Sequence, residues 1–292
     1  MIYLICLSAA LAFAVGNILQ KKGLHQNRID HPDFRAMVWA TLKDVPWWGG
    51  ILLSLVGTLA YYYGMAKWPL SQVQSLLSLN PVMTALLGVI FLKEKYDKST
   101  IWGISMVLVG VLTVNLSPDP GESSQGTLFW FLSTLILLTL LGVTLWGVFP
   151  QLFGQIQEGK PLAQRYKRSE WIFSLMTGLG FGLSAVYYKA FSLSFDPDLP
   201  LQGLNTSALL LGFLYFISYA IGFFSSQAAL SYGRALFVVP FSAAIGTMVP
   251  ILGGILILGE DSHPIRWLGV IFIAFALFLF VPRGDFSNIH NT

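Results

Sequence analysis

Charge is what this 292-residue sequence has least of. Asp, Glu, Lys and Arg make up 11% of it, whereas a soluble domain carries roughly a quarter. An ordinary globular enzyme is therefore excluded. Cysteine is almost as scarce. Cys6 stands alone, so no disulfide can form within the chain. No G-x-x-x-x-G-K-[ST] run occurs, which argues against ATP-driven work by this chain itself. His25, His31, His263 and His290 fall outside the apolar runs, with no cysteine or carboxylate at metal-ligand spacing. No metal, cofactor or catalytic residue is expected, and no Ser–His–Asp constellation sits near a membrane face. The basic stretches are short, so nucleic acid is not implied.

Apolar residues are what is plentiful, at 55%. They come in blocks of about 20, the length that crosses ~30 Å of hydrocarbon. Nine blocks stand out, at roughly 2–20, 47–66, 70–92, 99–117, 127–149, 171–189, 207–231, 235–258 and 265–282. The first has no basic segment before it and Lys21-Lys22 after it, the reverse of a cleaved signal peptide. It reads as a retained helix. With nine crossings, all but Lys67, Lys189 and Arg266 of the 17 Lys and Arg residues fall on one side. The positive-inside rule then sets the N-terminus outside and the C-terminus in the cytoplasm. Making residues 33–46 a tenth span would scatter the basic clusters. That stretch holds Asp33, Arg35, Lys43, Asp44 and Pro46, so it reads as interfacial or re-entrant.

The two halves of the sequence echo each other. At an offset of 166, Leu70 meets Leu236, Val73 meets Val239, Gly88 meets Gly254, Glu94 meets Glu260 and Gly103 meets Gly269. A two-residue slip pairs Lys21 with Lys189. Equivalent spans lie five crossings apart, and an odd number reverses direction, so the copies are antiparallel. The expected fold is an all-α polytopic membrane protein. It has about nine transmembrane helices, ten if 33–46 also crosses, and an internal inverted-topology repeat. Residues 1–117 form the first repeat. Residues 118–169 form an extra helix and a basic loop, and 170–292 form the second repeat and a short tail.

Each half has an apolar hairpin whose second helix ends in Glu, as Phe-Leu-Lys-Glu at 91–94 and Ile-Leu-Gly-Glu at 257–260. Pro81 stands thirteen residues before the first Glu. Thr247 takes that place in the second half, with the proline at Pro250. This layout resembles the EamA-like transporters of the drug/metabolite transporter superfamily. A narrower resemblance rests on Asn17-Ile-Leu-Gln-Lys-Lys-Gly-Leu24 and Pro46-Trp-Trp-Gly-Gly50, which look like the NIPA-like magnesium transporter branch. The first resemblance implies a transporter, and the second implies a Mg²⁺ cargo.

Inverted repeats place the solute site near the membrane midplane, between the copies. Polar positions Ser71, Gln74, Ser75 and Ser78 share one stripe of the third span. They read as either a pathway wall or interhelical glue. Asn17 and Gln20 lie one turn apart on the first helix, and Tyr187 and Tyr188 precede Lys189 on its counterpart. Lys21 and Lys22 read as cytoplasmic anchors. Lys189, on the positive-poor side, is a candidate for binding an anionic group or pairing with a carboxylate. Tyr61, Tyr62 and Tyr63 read as an interfacial belt or an aromatic wall. Glu94 and Glu260 read as carboxylates that bond a neighbouring helix or couple an ion. The expected substrate contacts are thus Asn17, Gln20, Gln74, Ser78, Tyr187, Lys189 and Thr247.

Divalent cations want several oxygen ligands, usually carboxylates. The cores of the nine blocks hold none. The reading that follows is secondary transport of a small organic solute by alternating access. Mg²⁺ or another divalent cation is the alternative, and a membrane-embedded lipid-handling protein or enzyme comes third. The expected partners are the small molecule or ion, the lipid bilayer and, optionally, a second copy of the chain. Gln74→Leu is expected to abolish transport while leaving membrane insertion intact.

Overall fold

Hydrocarbon offers no hydrogen bonds, so an apolar segment must satisfy every backbone N–H and C=O within itself, and a helix does that. The computed structural model describes residues 2–30, 34–67, 77, 79–94, 98–118, 136–137, 139–140, 162–194, 206–256 and 263–279. All regular structure among them is helical. In chain order the elements are α1 (Ile2–Asp30), α2 (Phe34–Thr41), α3 (Val45–Lys67), α4 (Asn80–Phe91), α5 (Lys98–Asn115), α6 (Leu162–Ser194), α7 (Thr206–Tyr232), α8 (Ala235–Leu256) and α9 (Pro264–Leu279). Segments of α1, α6, α7 and α8 are long and apolar enough to cross a membrane. Shorter apolar helices lie in α3, α4, α5 and α9.

Two boundaries differ from the sequence expectation. The first apolar run ends near residue 20, yet α1 continues to Asp30 and carries His25 on its polar end. Residues 162–170, expected in a loop, form the first turns of α6. Both extensions are polar but rich in Lys, Arg, Gln, Leu and Ala, which favour helix in water. Hydropathy reports where hydrocarbon ends, not where the helix does. Among the described residues of the 33–46 stretch, α3 begins at Val45 and the one further helix, α2, is eight residues long. At 1.5 Å per residue that is about 12 Å, far short of a crossing.

The entry to α3 is tied to α1. Asp44 Oδ1 accepts a hydrogen bond from the Trp47 N–H at 2.9 Å, satisfying one of the free donors of the first turn. Asp44 Oδ2 accepts from Asn27 Nδ2 at 3.1 Å.

α1 packs along α3, and α6 packs along α7. α1 also touches α4, as α6 touches α8, while α4 meets α8 and α5 meets α9. Glycine brings the backbones close at the crossings. A Cβ on Gly180 would fall 2.5 Å from the Gly222 nitrogen, and one on Gly110 would fall 2.8 Å from the Gly269 carbonyl oxygen. Close approach of this kind is how helices associate where lipid removes the hydrophobic incentive. The main core draws Ile18 of α1, Trp47 of α3, Phe173 of α6, Leu230 of α7, Phe237 and Phe241 of α8, and Ile273 of α9 into one cluster. A second cluster joins Leu140 to Leu183, Val186 and Tyr187 of α6 and to Leu211 and Leu214 of α7.

Candidate functional site

Helix ends leave unpaired carbonyls and N–H groups that must find partners. The turn between α7 and α8 presents both kinds, and charged side chains from three other elements supply the partners. Lys21, on α1, sends its ammonium group to the carbonyl oxygens of Leu230, at 2.7 Å, and Gly233. A cation there also complements the negative end of the α7 dipole. Glu94, just past α4, accepts from the Ala235 and Leu236 N–H groups, each at 2.8 Å. It thereby occupies the positive end of α8. Glu170, on α6, accepts from the Arg234 N–H at 2.7 Å, with Arg234 Nε 3.8 Å from the same oxygen. Lys21 and Glu170 are buried.

Backbone geometry aims Glu94 at this place. Lys93 adopts a left-handed conformation (φ 53°), which is uncommon for a residue with a side chain. The chain folds back so that the Glu94 N–H donates to Gly88 O at 3.3 Å. A carboxylate opposed by its own helix's dipole is favoured at the N-terminus of the next one. That resolves why Glu94 closes the third apolar run. Lys21, expected as an anchor in the headgroup region, is instead an internal cap on α7.

A second, neutral network lies between α1, α3 and α7. Gln227 Nε2 donates to Gln20 Oε1 at 2.7 Å, and Gln20 Nε2 donates to Ser54 Oγ at 2.9 Å. Trp47 Nε1 donates to Gln227 Oε1 at 2.9 Å. Gln227→Leu would leave both the Trp47 indole N–H and the Gln20 amide oxygen without these partners. We expect it to lower stability by about 1 kcal/mol, the scale of interhelical bonds in membranes, read as a shift of the unfolding midpoint in detergent.

The other sequence-selected residues are placed as follows. Asn17 is half-buried on α1, and Thr247 and Lys189 are half-buried on α8 and α6. Tyr187 is fully buried in the second apolar cluster. Its neighbour Tyr188 is exposed, with its ring 5.9 Å from that of Tyr215. Gln74, Ser78 and Glu260 lie outside the described residues. Gln20 is thus joined to polar partners, while Tyr187 is buried in an apolar cluster. Sequence reasoning gave Glu170, Arg234, Ser54 and Gln227 no place in a site, and Trp47 entered only as part of a motif. Gln227 carried a usable signal, being the one amide side chain in the 207–231 run. Glu170 stands one residue before an apolar run and looked like part of a loop.

At the start of α9, Arg266 repeats the logic of Lys21. It is buried, and it donates to Ser117 Oγ at 3.2 Å and to the Pro118 carbonyl at 3.0 Å, just past the end of α5. Inside α8, Pro240 and Pro250 supply no N–H, so the Leu236 and Gly246 carbonyls lose their ordinary helical donors.

The sequence pattern of the EamA-like transporter family matches residues 30–116. The chain is 25% identical over 262 residues to a probable magnesium transporter, NIPA9, of Arabidopsis thaliana, covering 88% of this chain and 73% of that protein. It is 27% identical over 129 residues to a probable magnesium transporter of Candida albicans, covering 41% of this chain but only 33% of that protein. It is also 31% identical over 110 residues to ArnE of Hamiltonella defensa, a probable 4-amino-4-deoxy-L-arabinose-phosphoundecaprenol flippase subunit. That match covers 38% of this chain and 92% of that protein. No solved structure matches the chain.

Proposed function

The chain belongs to the EamA-like transporter family, and from that premise we propose that it is a secondary-active transporter of Mg²⁺ or another divalent cation, working by alternating access. The observation that carries the cargo is the likeness to a probable magnesium transporter along 88% of the chain. This reverses the order in which the sequence ranked the cargoes. Apolar spans without carboxylates spoke against an all-protein cation cage. Mg²⁺, however, dehydrates reluctantly and usually keeps several waters, and amides, hydroxyls and carbonyls can bond those waters. Gln20, Gln74, Ser78, Asn17 and Thr247 are groups of that kind. Lys189 and the packed Tyr187 fit this cargo less well.

The inverted repeat remains our reading of the architecture, and the packing supports it. If α1, α3, α4 and α5 correspond to α6, α7, α8 and α9, the α1–α3 contact answers the α6–α7 contact. The α1–α4 contact likewise answers α6–α8, and α4–α8 and α5–α9 are each their own counterpart. The repeats at 1–117 and 170–292, the outside N-terminus and the cytoplasmic C-terminus belong to the same reading. Tags on the two chain ends test it: both facing one compartment would overturn it.

The cargo is tested by reconstituting the full chain in liposomes that hold a fluorescent Mg²⁺ reporter. Uptake above empty liposomes is expected, and Gln74→Leu is expected to abolish it while the protein still inserts. A silent reporter, together with a small organic solute that raises the unfolding midpoint, would overturn the cation in favour of the solute. Binding to the folded form alone produces such a rise.

A further inference from the structure

We propose that Lys21, Glu94 and Glu170 form a latch that pins the α7–α8 turn and shuts one end of the transport path, and that the transport cycle breaks and remakes it. The latch rests on the reading of this chain as an alternating-access transporter, but not on the identity of its cargo.

Five polar demands of one turn are met from outside it. The carbonyls of Leu230 and Gly233 accept from Lys21. The N–H of Arg234 donates to Glu170, and those of Ala235 and Leu236 donate to Glu94. The three elements that supply the partners are α1, the turn after α4, and α6, so the turn clamps helices from distant parts of the chain. These five hydrogen bonds all run to the main chain. The latch therefore holds the position of the turn, whatever its side chains. With Arg234 the cluster contains two cations and two anions. Its formal charges balance, which suits a site that is alternately buried and opened.

The turn has no spare room. A Cβ at Gly233 would lie 2.5 Å from Glu170 Cγ and 2.7 Å from Val238 Cγ2. Directly behind it, Phe237 and Phe241 stack with ring centroids 5.1 Å apart. Trp171 meets them at 5.0 and 4.7 Å. Trp171 follows Glu170 on α6, and Phe237 follows Leu236 on α8, so the aromatic plug and the charged latch share these two helices. Releasing the charges frees the plug. α8 is also suited to move, because Pro240 lies one turn beyond the Glu94-bound residues and weakens the helix there.

The latch is tested on the purified full chain in detergent, with Cys6→Ala removing the native thiol. Ala235→Cys reports on the latch, and Ala276→Cys, buried on α9, reports on the rest of the fold in a separate protein. Maleimide labelling of Ala235→Cys is expected to quicken at least tenfold when Lys21→Met or Glu94→Gln is added. Lys21→Arg should stay near the parent rate, and Ala276→Cys should stay slow throughout. An unchanged rate at position 235 in both variants would overturn the latch. So would a parallel rise at 276, which reports general unfolding. Should neither variant purify folded, the unaltered latch decides. A turn that opens reversibly labels Ala235→Cys at least tenfold faster than Ala276→Cys, and equal rates overturn the proposal. No cargo enters these measurements, so a silent Mg²⁺ reporter removes the cation without touching the latch.

Discussion

Lys21→Ala is expected to destabilise the protein by about 3–5 kcal/mol, the cost of removing one partner from a buried charged cluster. The size of the effect separates two roles for this side chain. A lysine in the headgroup region, as the sequence alone suggested, makes exposed contacts worth about 0–1 kcal/mol. The lysine found here is 7% exposed and donates to two carbonyls at the end of α7. Truncation strands both carbonyls away from water. It also removes one of the cluster's two cations, leaving Glu94 and Glu170 with Arg234, whose Nε lies 3.8 Å from Glu170. Reversible unfolding in mixed micelles measures the difference directly. A loss below about 1 kcal/mol, the exposed-pair scale, would return Lys21 to the anchor role.

Gly180→Leu is expected to prevent folded protein from accumulating. A Cβ at position 180 would fall 2.5 Å from the Gly222 nitrogen, 2.6 Å from its Cα and 3.0 Å from the Ser218 carbonyl oxygen. All three are backbone atoms, so no rotamer change makes room. α6 and α7 would have to separate along one of the longest interfaces in the molecule. Gly180→Ala, the mildest overpacking, should already cost about 1–3 kcal/mol. Gly246→Ala is the control. Its nearest neighbour would be the Gly178 carbonyl oxygen at 3.6 Å, an ordinary contact, and alanine is favoured over glycine in a helix by about 1 kcal/mol. The monodisperse fraction on gel filtration and the thermal midpoint check all three. If Gly180→Leu behaves like the control, the α6–α7 crossing is looser than described.

Gln20 and Glu94 show how far the site could be read in advance. Both were selected from the sequence, because a polar group next to a long apolar run must be explained. What each one touches was not readable. Gln20 meets Gln227 across 207 positions of chain, and Glu94 meets Ala235 across 141. Tyr187 was selected for its place beside Lys189, and the structure adds that it is buried with Leu183, Val186 and Leu211, neighbours the sequence did not show. Helical periodicity tells which residues share a face, but not what that face meets.

The sequence by itself determined that the chain is helical and membrane-like, because run length and scarcity of charge act locally. A segment of about 20 apolar residues can satisfy its backbone in only one way in hydrocarbon. Tertiary structure alone decided which charges cap which helices, where two amides meet, and which glycines let backbones touch. Those outcomes depend on atoms brought within 3 Å from opposite ends of the chain, a distance that no local pattern encodes.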